Sequence, residues 1–469
     1  MNILFIKPYV YIHPNQNVEI PIGIMALSSW LKKKFGNDIS ISFFDMRLHK
    51  KKSSLIDAVK TNSPDIIGIS LLAFERDFLK LYLREIKKTV PDAFIFLGGP
   101  LSSSNYEEIL KKFPKIDAIV RGEGEITLEK IVRHIMNDTD FHGEDGISFH
   151  DGKKVVNNPD RAFIDDINQL PFPDYNLISI PCYHGYHAPM NVILKEHRYI
   201  QIVTSRSCPY NCIYCHNIFG KGFRPRSSEN VFSEIEYLYN EHGIKEFQIV
   251  DDIFNLKRQR MHHILKKIID SDMKIALAFP NAIRGDILSF RDIDLLKAAG
   301  CYNLTLSVET ASPRIQKLIG KNLNIEKTMK NIRYAHSLGI LTRAYFMTGF
   351  PGETEDEIRL TLKYAADPAL DMMSIFKVTP FINTELHKLA VREYGDKMDG
   401  MYGDFFVYRS YFEEITGIPL KKMIRNTYFK FYLPFRIFRT FFKLPRKIHF
   451  IRRILYNVLM ILSPDKRKR

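Results

Sequence analysis

Cysteine is scarce in this chain, five residues in 469, and the count is odd. That gives no basis for a disulfide framework and suits a reducing cytosol. Long apolar runs are also missing. No stretch reaches the ~18 residues that mark a membrane-spanning helix. The opening run 1–8 is too short for a secretory leader, ends in Pro8 and reads as a first strand, so the expected location is cytoplasmic. Acidic residues all but vanish from the C-terminal end. Residues 421–469 hold fifteen Lys and Arg against Asp465 alone, so +14 of the net charge of +15 lies there and the rest of the chain is near neutral. The body therefore lacks the basic surface expected of a nucleic-acid binder.

Three of the five cysteines fall within eight residues: Cys208, Cys212 and Cys215, spaced C-x3-C-x2-C, directly after a strand-like run at 199–204. A loop with three thiols can wrap one corner of a cubane iron–sulfur cluster, one thiolate per iron, leaving the fourth iron without a protein ligand. Zinc is the competing reading, but it wants a fourth Cys or His, usually from a second paired motif. Cys182 and Cys301 stand alone, and His216 adjoins Cys215 too closely for easy common chelation.

With Tyr214 before its last cysteine, this loop resembles the signature of radical S-adenosylmethionine (SAM) enzymes. The resemblance implies a [4Fe–4S] cluster on Cys208, Cys212 and Cys215, whose open iron chelates SAM, and a one-electron reductant of the flavodoxin or ferredoxin type. Reductive cleavage of SAM then gives methionine and a 5′-deoxyadenosyl radical. Ser207 stands where the sub-group usually has glycine, a small backbone change.

Residues 1–137 alternate strand-like runs (2–6, 39–44, 66–70, 94–97, 118–120) with helical segments such as 22–35 and 75–89. That is an α/β pattern, a doubly wound parallel sheet of Rossmann type, in which ligands sit beyond the strands' carboxyl ends. Those ends carry Lys7, Asp45, Ser70, Gly98, Gly99, Gly122, Glu123 and Gly124. The glycines would let a large planar ligand approach the backbone; tight turns without a ligand account for them as well. Pro-Ile-Gly at 21–23, the run at 64–70, Gly-Gly-Pro at 98–100 and Gly-Glu-Gly-Glu at 122–125 look like the cobalamin-binding domain that precedes many radical SAM cores. The resemblance implies cobalamin at Ser70, Gly98, Gly99, Gly122, Glu123 and Gly124. The Asp-x-His-x-x-Gly element is absent, so no histidine of that motif would ligate cobalt.

Residues 138–198 read as a connector, with a hairpin turned at Asp151-Gly152 and an extended crossing at 170–175. His184 and His187 lie in it and read as packing or surface residues. Over 199–384, strands at 199–204, 245–251, 274–280, 302–308, 340–347 and 372–379 alternate with helices, for example 229–241 and 325–338. Six such units suit a partial, TIM-like (β/α)6 barrel with its chemistry at the strand C-termini. By the resemblance, Asp251 and Asp252 meet the SAM amino group, Ser307 and Glu309 lie near its ribose and carboxylate, and Gly349, Gly352 and Glu353 belong to a segment packing on adenine. Arg224 and Arg226 match a common basic element but read equally as solvated surface. Thr379–Thr384 departs from the usual form of a segment that borders substrate, so substrate identity does not transfer.

The last region, 385–469, interleaves aromatic and basic residues, as in 435–439, and ends in an apolar run at 448–462 carrying Arg452 and Arg453. A helical cap on the barrel, a peripheral contact with anionic membrane and, last, a nucleic-acid grip are the readings. The expected function is a cobalamin-dependent radical SAM methylation of an unactivated carbon on a hydrophobic or lipid-like substrate. Radical cyclisation, oxidation or rearrangement, as in anaerobic porphyrin-ring cyclases, is the alternative, and an iron–sulfur nucleic-acid module is the reading outside enzymes. A methylthiotransferase would need three more cysteines for a second cluster.

Overall fold

The computed structural model describes residues 1–10, 18–49, 51–72, 75–152, 154–184, 193–215, 218–381, 384–398, 411–432 and 440–447. Its strands are β1 (Asn2–Lys7), β2 (Ser40–Asp45), β3 (Ile66–Ser70), β4 (Phe94–Gly98), β5 (Ala118–Val120), β6 (Ile147–His150), β7 (Val155–Asn157), β8 (Tyr199–Ile202), β9 (Ser205–Arg206), β10 (Arg224–Pro225), β11 (Glu246–Ile249), β12 (Ala276–Arg284), β13 (Cys301–Glu309), β14 (Leu341–Thr348) and β15 (Met372–Lys377).

The first sheet runs β2-β1-β3-β4-β5-β6-β7. β1 to β5 are parallel, and their apolar residues alternate between two buried layers. Leu4, Ile6, Ile67, Ile69, Ile95 and Leu97 face one helical layer, while Ile3, Phe5, Ile66, Phe96 and Val120 face the other. A parallel strand covered on both faces needs apolar residues at both parities, which is why these runs read as continuous. The hairpin assigned to the connector is part of this sheet: β6 pairs antiparallel with β5, and β7 with β6. The N-terminal unit thus reaches Asn157, beyond the boundary expected at 137.

The second sheet, β15-β14-β13-β12-β11-β8, is parallel throughout and open, with β8 and β15 as its edges. Leu304, Leu306, Val308, Ala344 and Phe346 share a core with Ile293, Met329, Ile332 and Ile358 of the covering helices. The opposite parity faces the lumen. Side-chain caps begin the helices that leave the rim: Ser227 accepts from Asn230 N, and Thr354 with Glu357 forms a capping box.

The C-terminal region seals this barrel. The helix Leu420–Tyr432 lies along the β15 edge, where the Tyr428 hydroxyl accepts from Ile375 N at 3.0 Å. Leu444 plugs the floor against Ile193, Ala276, Tyr302, Leu341 and Met372. Lys443 pairs with Asp371 at 3.4 Å, and Arg446 donates to Glu196 O at 3.2 Å. Over these residues the tail is a cap; the expected run 448–462 and the stretch 435–439 lie outside the described residues.

Candidate functional site

The cluster loop leaves β8 at the rim of the open barrel. Cys208 and Cys212 are half-buried and Cys215 is exposed. Cys215 reaches the surface, but the protein around the loop still desolvates both thiols: that of Cys208 is raised and that of Cys215 pushed up to about 11, with the neighbouring Cys212 adding to the effect. The loop backbone is held from two sides: Ile213 N donates to Ile319 O at 3.1 Å, and Leu386 N to Ile213 O at 2.9 Å. Gly320 is required for this approach. Its φ is +68°, and a Cβ there would stand 2.8 Å from Asn211 O. Ser207 has φ +72°, so the glycine it replaces would suit the left-handed backbone here; its hydroxyl donates to Gly220 O at 2.6 Å. Among the described residues, no three Cys, His, Asp or Glu converge on one ion. Three thiols on one loop suit a cluster, in which each binds its own iron. Cys301 lies buried in the barrel core and Cys182 on the short helix Ile180–Tyr183, both apart from the loop.

Asp251 is turned inward, onto the chain. It is 3% exposed, and its oxygens accept from Thr204 N (2.6 Å), Thr204 Oγ1 (2.5 Å) and Ser205 Oγ (2.6 Å). It fastens the root of the cluster loop to β11. Asp252 is exposed, and its charge bears on the Cys208 and Cys215 thiols. Ser307 and Glu309 come together through Lys321, a residue the sequence did not single out: its Nζ donates to Ser307 Oγ at 2.9 Å and Glu309 Oε1 at 2.8 Å. Glu309 holds φ +65°.

The segment expected against adenine is covered by the C-terminal region. A Cβ on Gly349 (φ +91°) would point at Leu420 and Phe412, and Tyr411 donates to Gly349 O at 2.6 Å. Gly352 N donates to the Tyr394 hydroxyl at 3.0 Å. Glu353 accepts from Gly349 N (2.6 Å) and Phe350 N (3.1 Å), yet burial dominates and pushes its carboxyl up to about 7. Its Oε1 is buried without a partner.

At the carboxyl edge of the first sheet, the glycines divide into two kinds. Gly99 (φ +89°) and Gly124 are explained by packing, since a Cβ would meet Leu71 O at 2.8 Å and Leu27 at 3.0 Å. A Cβ on Gly98 or Gly122 would enter open space. Those two, with half-buried Ser70, leave a cradle that fits a planar ring system. Lys7 pairs with Glu75 (2.8 Å), while Asp45 binds Arg47 and accepts from the Tyr183 hydroxyl of the connector at 2.8 Å.

Glu123, expected at cobalamin, clamps two arginines. Arg224 Nη1 donates to both of its oxygens at 2.8 Å, Arg206 Nη1 to Oε1 at 2.8 Å, and Ile164 N to Oε2 at 2.9 Å. Arg206 also binds Glu125. Burial alone would raise Glu123, but the Arg224 hydrogen bonds and the Arg206 charge hold it below the ordinary carboxylate range. Arg224 and Arg226 are buried ion-pair partners, Arg226 with Glu234, and not solvated surface. Because Arg206 precedes Cys208 by two residues, the first sheet's carboxyl edge is tied to the cluster loop.

A parallel open barrel that carries this loop after its first strand defines the class: the Radical SAM superfamily model matches residues 202–365, and the chain belongs to that superfamily. A second match, to the B12 binding domain over residues 10–132, places it in the group with an N-terminal cobalamin-binding domain. The chain is therefore a radical SAM enzyme, and its two domain families bear out the expectation of an iron–sulfur cluster, SAM and cobalamin. It is 28% identical to an uncharacterized methyltransferase of Pyrococcus horikoshii over 88% of each chain. It is 27% identical to the anaerobic magnesium-protoporphyrin IX monomethyl ester cyclase of Rubrivivax gelatinosus, over 83% of this chain and 70% of that one. The solved cobalamin-dependent SAM radical enzyme OxsB shares the fold, with a TM-score of 0.64 and 20% identity over 90% of this chain; the match spans 57% of the OxsB chain. No described helix is long and apolar enough to cross a membrane.

Proposed function

We propose that this enzyme transfers a methyl group to an unactivated carbon. The observation that carries the reading is the clamp: Glu123 and Glu125 of the cobalamin-type domain hold Arg206 and Arg224, so the open cradle at Gly98 and Gly122 and the three thiols belong to one assembly. When bound, the cluster with SAM supplies a carbon-centred radical for hydrogen-atom abstraction, and cobalamin supplies the methyl group. The chain's own residues hold and exclude. Cys208, Cys212 and Cys215 present three thiolates, Asp251 and Gly320 fix the loop that carries them, and Ser70, Gly98 and Gly122 admit the ring. Ser307, Glu309 and Lys321 offer polar contacts to SAM beside the cluster, and the C-terminal cap keeps water from the barrel.

The test begins with anaerobic reconstitution. About four irons and four sulfides per chain are expected, lost in the triple Cys208→Ala, Cys212→Ala, Cys215→Ala variant and kept in Cys182→Ala and Cys301→Ala. Added SAM and reductant should yield 5′-deoxyadenosine, and Gly98→Leu should lose bound cobalamin without losing iron. A triple variant with a full cluster would overturn the reading. Label from the SAM methyl group appearing in product separates methyl transfer from the ring closure that the cyclase relatives suggest.

A second reading concerns location, and two exposed aromatics on the cap favour it: Phe429 (66%), followed by exposed Lys430, and Phe442 (68%), with Lys447 Nζ 5.2 Å from its ring. With the basic residues around them they suit peripheral attachment to anionic membrane, each charge adding about 1 kcal/mol, and a lipid-like substrate. Co-sedimentation with anionic but not neutral vesicles, weakened in Phe429→Ser/Phe442→Ser, is expected. Equal binding to both vesicle types removes it.

A further inference from the structure

On β14, Ala344 and Phe346 pack into the helix-covered core, so by strand alternation Arg343 and Tyr345 face the lumen, with Met347 next on that face and touching the core cluster from it. The Tyr345 hydroxyl donates across β13 to Pro280 O on β12 at 2.5 Å, a path open only on the concave side. Below Arg343 the floor is closed by Leu341 and Leu444, with Met372 beside it in register. Above it, in register, come Ser307, Tyr345 and Ser374, then Met347 and Phe376. At ~3.3 Å per residue, the Arg343 backbone lies roughly 13 Å below that of Met347, a depth suited to a small substrate beneath the cluster loop.

Arg343 is unlike the arginines of the clamp. Its Nη2 donates to Ser374 Oγ at 2.7 Å, and its guanidinium lies 4.8 Å from the Tyr345 ring centroid. Among the described residues no carboxylate pairs with it, whereas Arg47, Arg206, Arg224, Arg226 and Arg284 each hold one. Its Nε is buried and donates to nothing. The hydroxyl of Thr305, its register neighbour on β13, is buried and unbonded too. Two orphaned polar atoms, one of them on a guanidinium, thus belong to residues paired in register on the lumen wall. Buried donors are rarely left unmade, and a guanidinium fork matches the two oxygens of a carboxylate or phosphate. The wall towards the rim is apolar, with Phe376 48% exposed on it.

We propose that Arg343, with Thr305, anchors an oxyanion of the substrate, a carboxylate or phosphate, while Tyr345, Met347 and Phe376 receive its apolar body. This rests on the functional reading above and deepens it to a substrate class. SAM carries a carboxylate of its own, so the experiment must tell the two sources apart.

Full-length reconstituted protein is titrated by ligand-observed NMR with phenylpropionate, phenylphosphonate and neutral phenylpropionamide, and separately with SAM. One or both acids should bind roughly tenfold or more tightly than the amide, and the tighter acid tells carboxylate from phosphate. Arg343→Gln should abolish that preference with iron content and SAM affinity unchanged; Thr305→Val should reduce it severalfold. Absence of acid binding, equal binding of amide and acids, or a preference that survives Arg343→Gln overturns the proposal. So does a loss of SAM affinity in Arg343→Gln with the acid preference intact. The wild-type comparison of acid with amide stands whether or not either variant folds. Failure of the functional reading itself would show elsewhere, as missing iron or missing 5′-deoxyadenosine in the unaltered protein.

Discussion

At the seam between the two sheets, Arg206 and Arg224 converge on Glu123, and Glu125 takes the remaining arm of Arg206. In the barrel lumen, Arg343 meets a hydroxyl and the face of a ring. Both regions bury cationic side chains, but only the seam supplies the countercharge. Paired charges out of water contribute little net stability; what they enforce is one arrangement, because each partner is costly to leave alone. The seam therefore reads as a device that fixes the docking of the first domain on the cluster loop. The lumen leaves its charge for something that arrives.

The contrast can be broken by substitution. Glu123→Ala leaves Arg224 buried without a carboxylate and Arg206 with Glu125 alone, and should cost about 3–5 kcal/mol in urea unfolding of the full chain. A loss near zero would mean that the seam is wet and the clamp unimportant. Glu353 sharpens the comparison through pH. Held near 7 by burial, it keeps a proton that the unfolded chain releases in the ordinary carboxylate range, so stability should fall as pH rises between those two values. Glu353→Gln should remove that slope and stabilise the protein at about pH 8 by up to ~3 kcal/mol. Glu123 has the opposite sign. Its folded form ionises more readily, so its contribution is present above the ordinary carboxylate range and is lost as pH falls through its lowered value. The smallest effect belongs to Arg343→Met, which replaces an uncompensated charge by an apolar side chain and should change the unfolding free energy by less than about 1 kcal/mol. A loss as large as that of Glu123→Ala would place Arg343 in the scaffold.

Much of this was legible in the chain. Alternating strand and helix periods gave both sheets, and cysteine spacing gave the loop, because each is a local pattern. The hairpin's membership of the first sheet was not legible, since pairing with β5 is a long-range choice that the Asp-Gly turn leaves open. The ion pairs of Glu123 were hidden for a related reason. It sits at a strand's carboxyl end, where ligand loops sit, and its partners lie 83 and 101 residues further on. Asp251 likewise occupies the expected position but turns its carboxylate back towards Thr204 and Ser205. Ser207 looked like a slight departure; its left-handed backbone shows that glycine would ordinarily be favoured there, with the hydroxyl bond to Gly220 as partial compensation. Nothing in an alternating strand marks Arg343, since only the register reveals which neighbours fail to neutralise it.

The plug at Leu444 has a consequence for how the chain is made. Arg446 meets Glu196 across 250 positions, so the barrel's floor cannot close until residues 444–446 have been synthesised, long after the strands they cover. The first domain can fold as it emerges from the ribosome, but the lumen must wait with Tyr302, Leu341 and Met372 uncovered. Chains that stall shortly before residue 440 should accordingly be the species that chaperones hold and proteases clear.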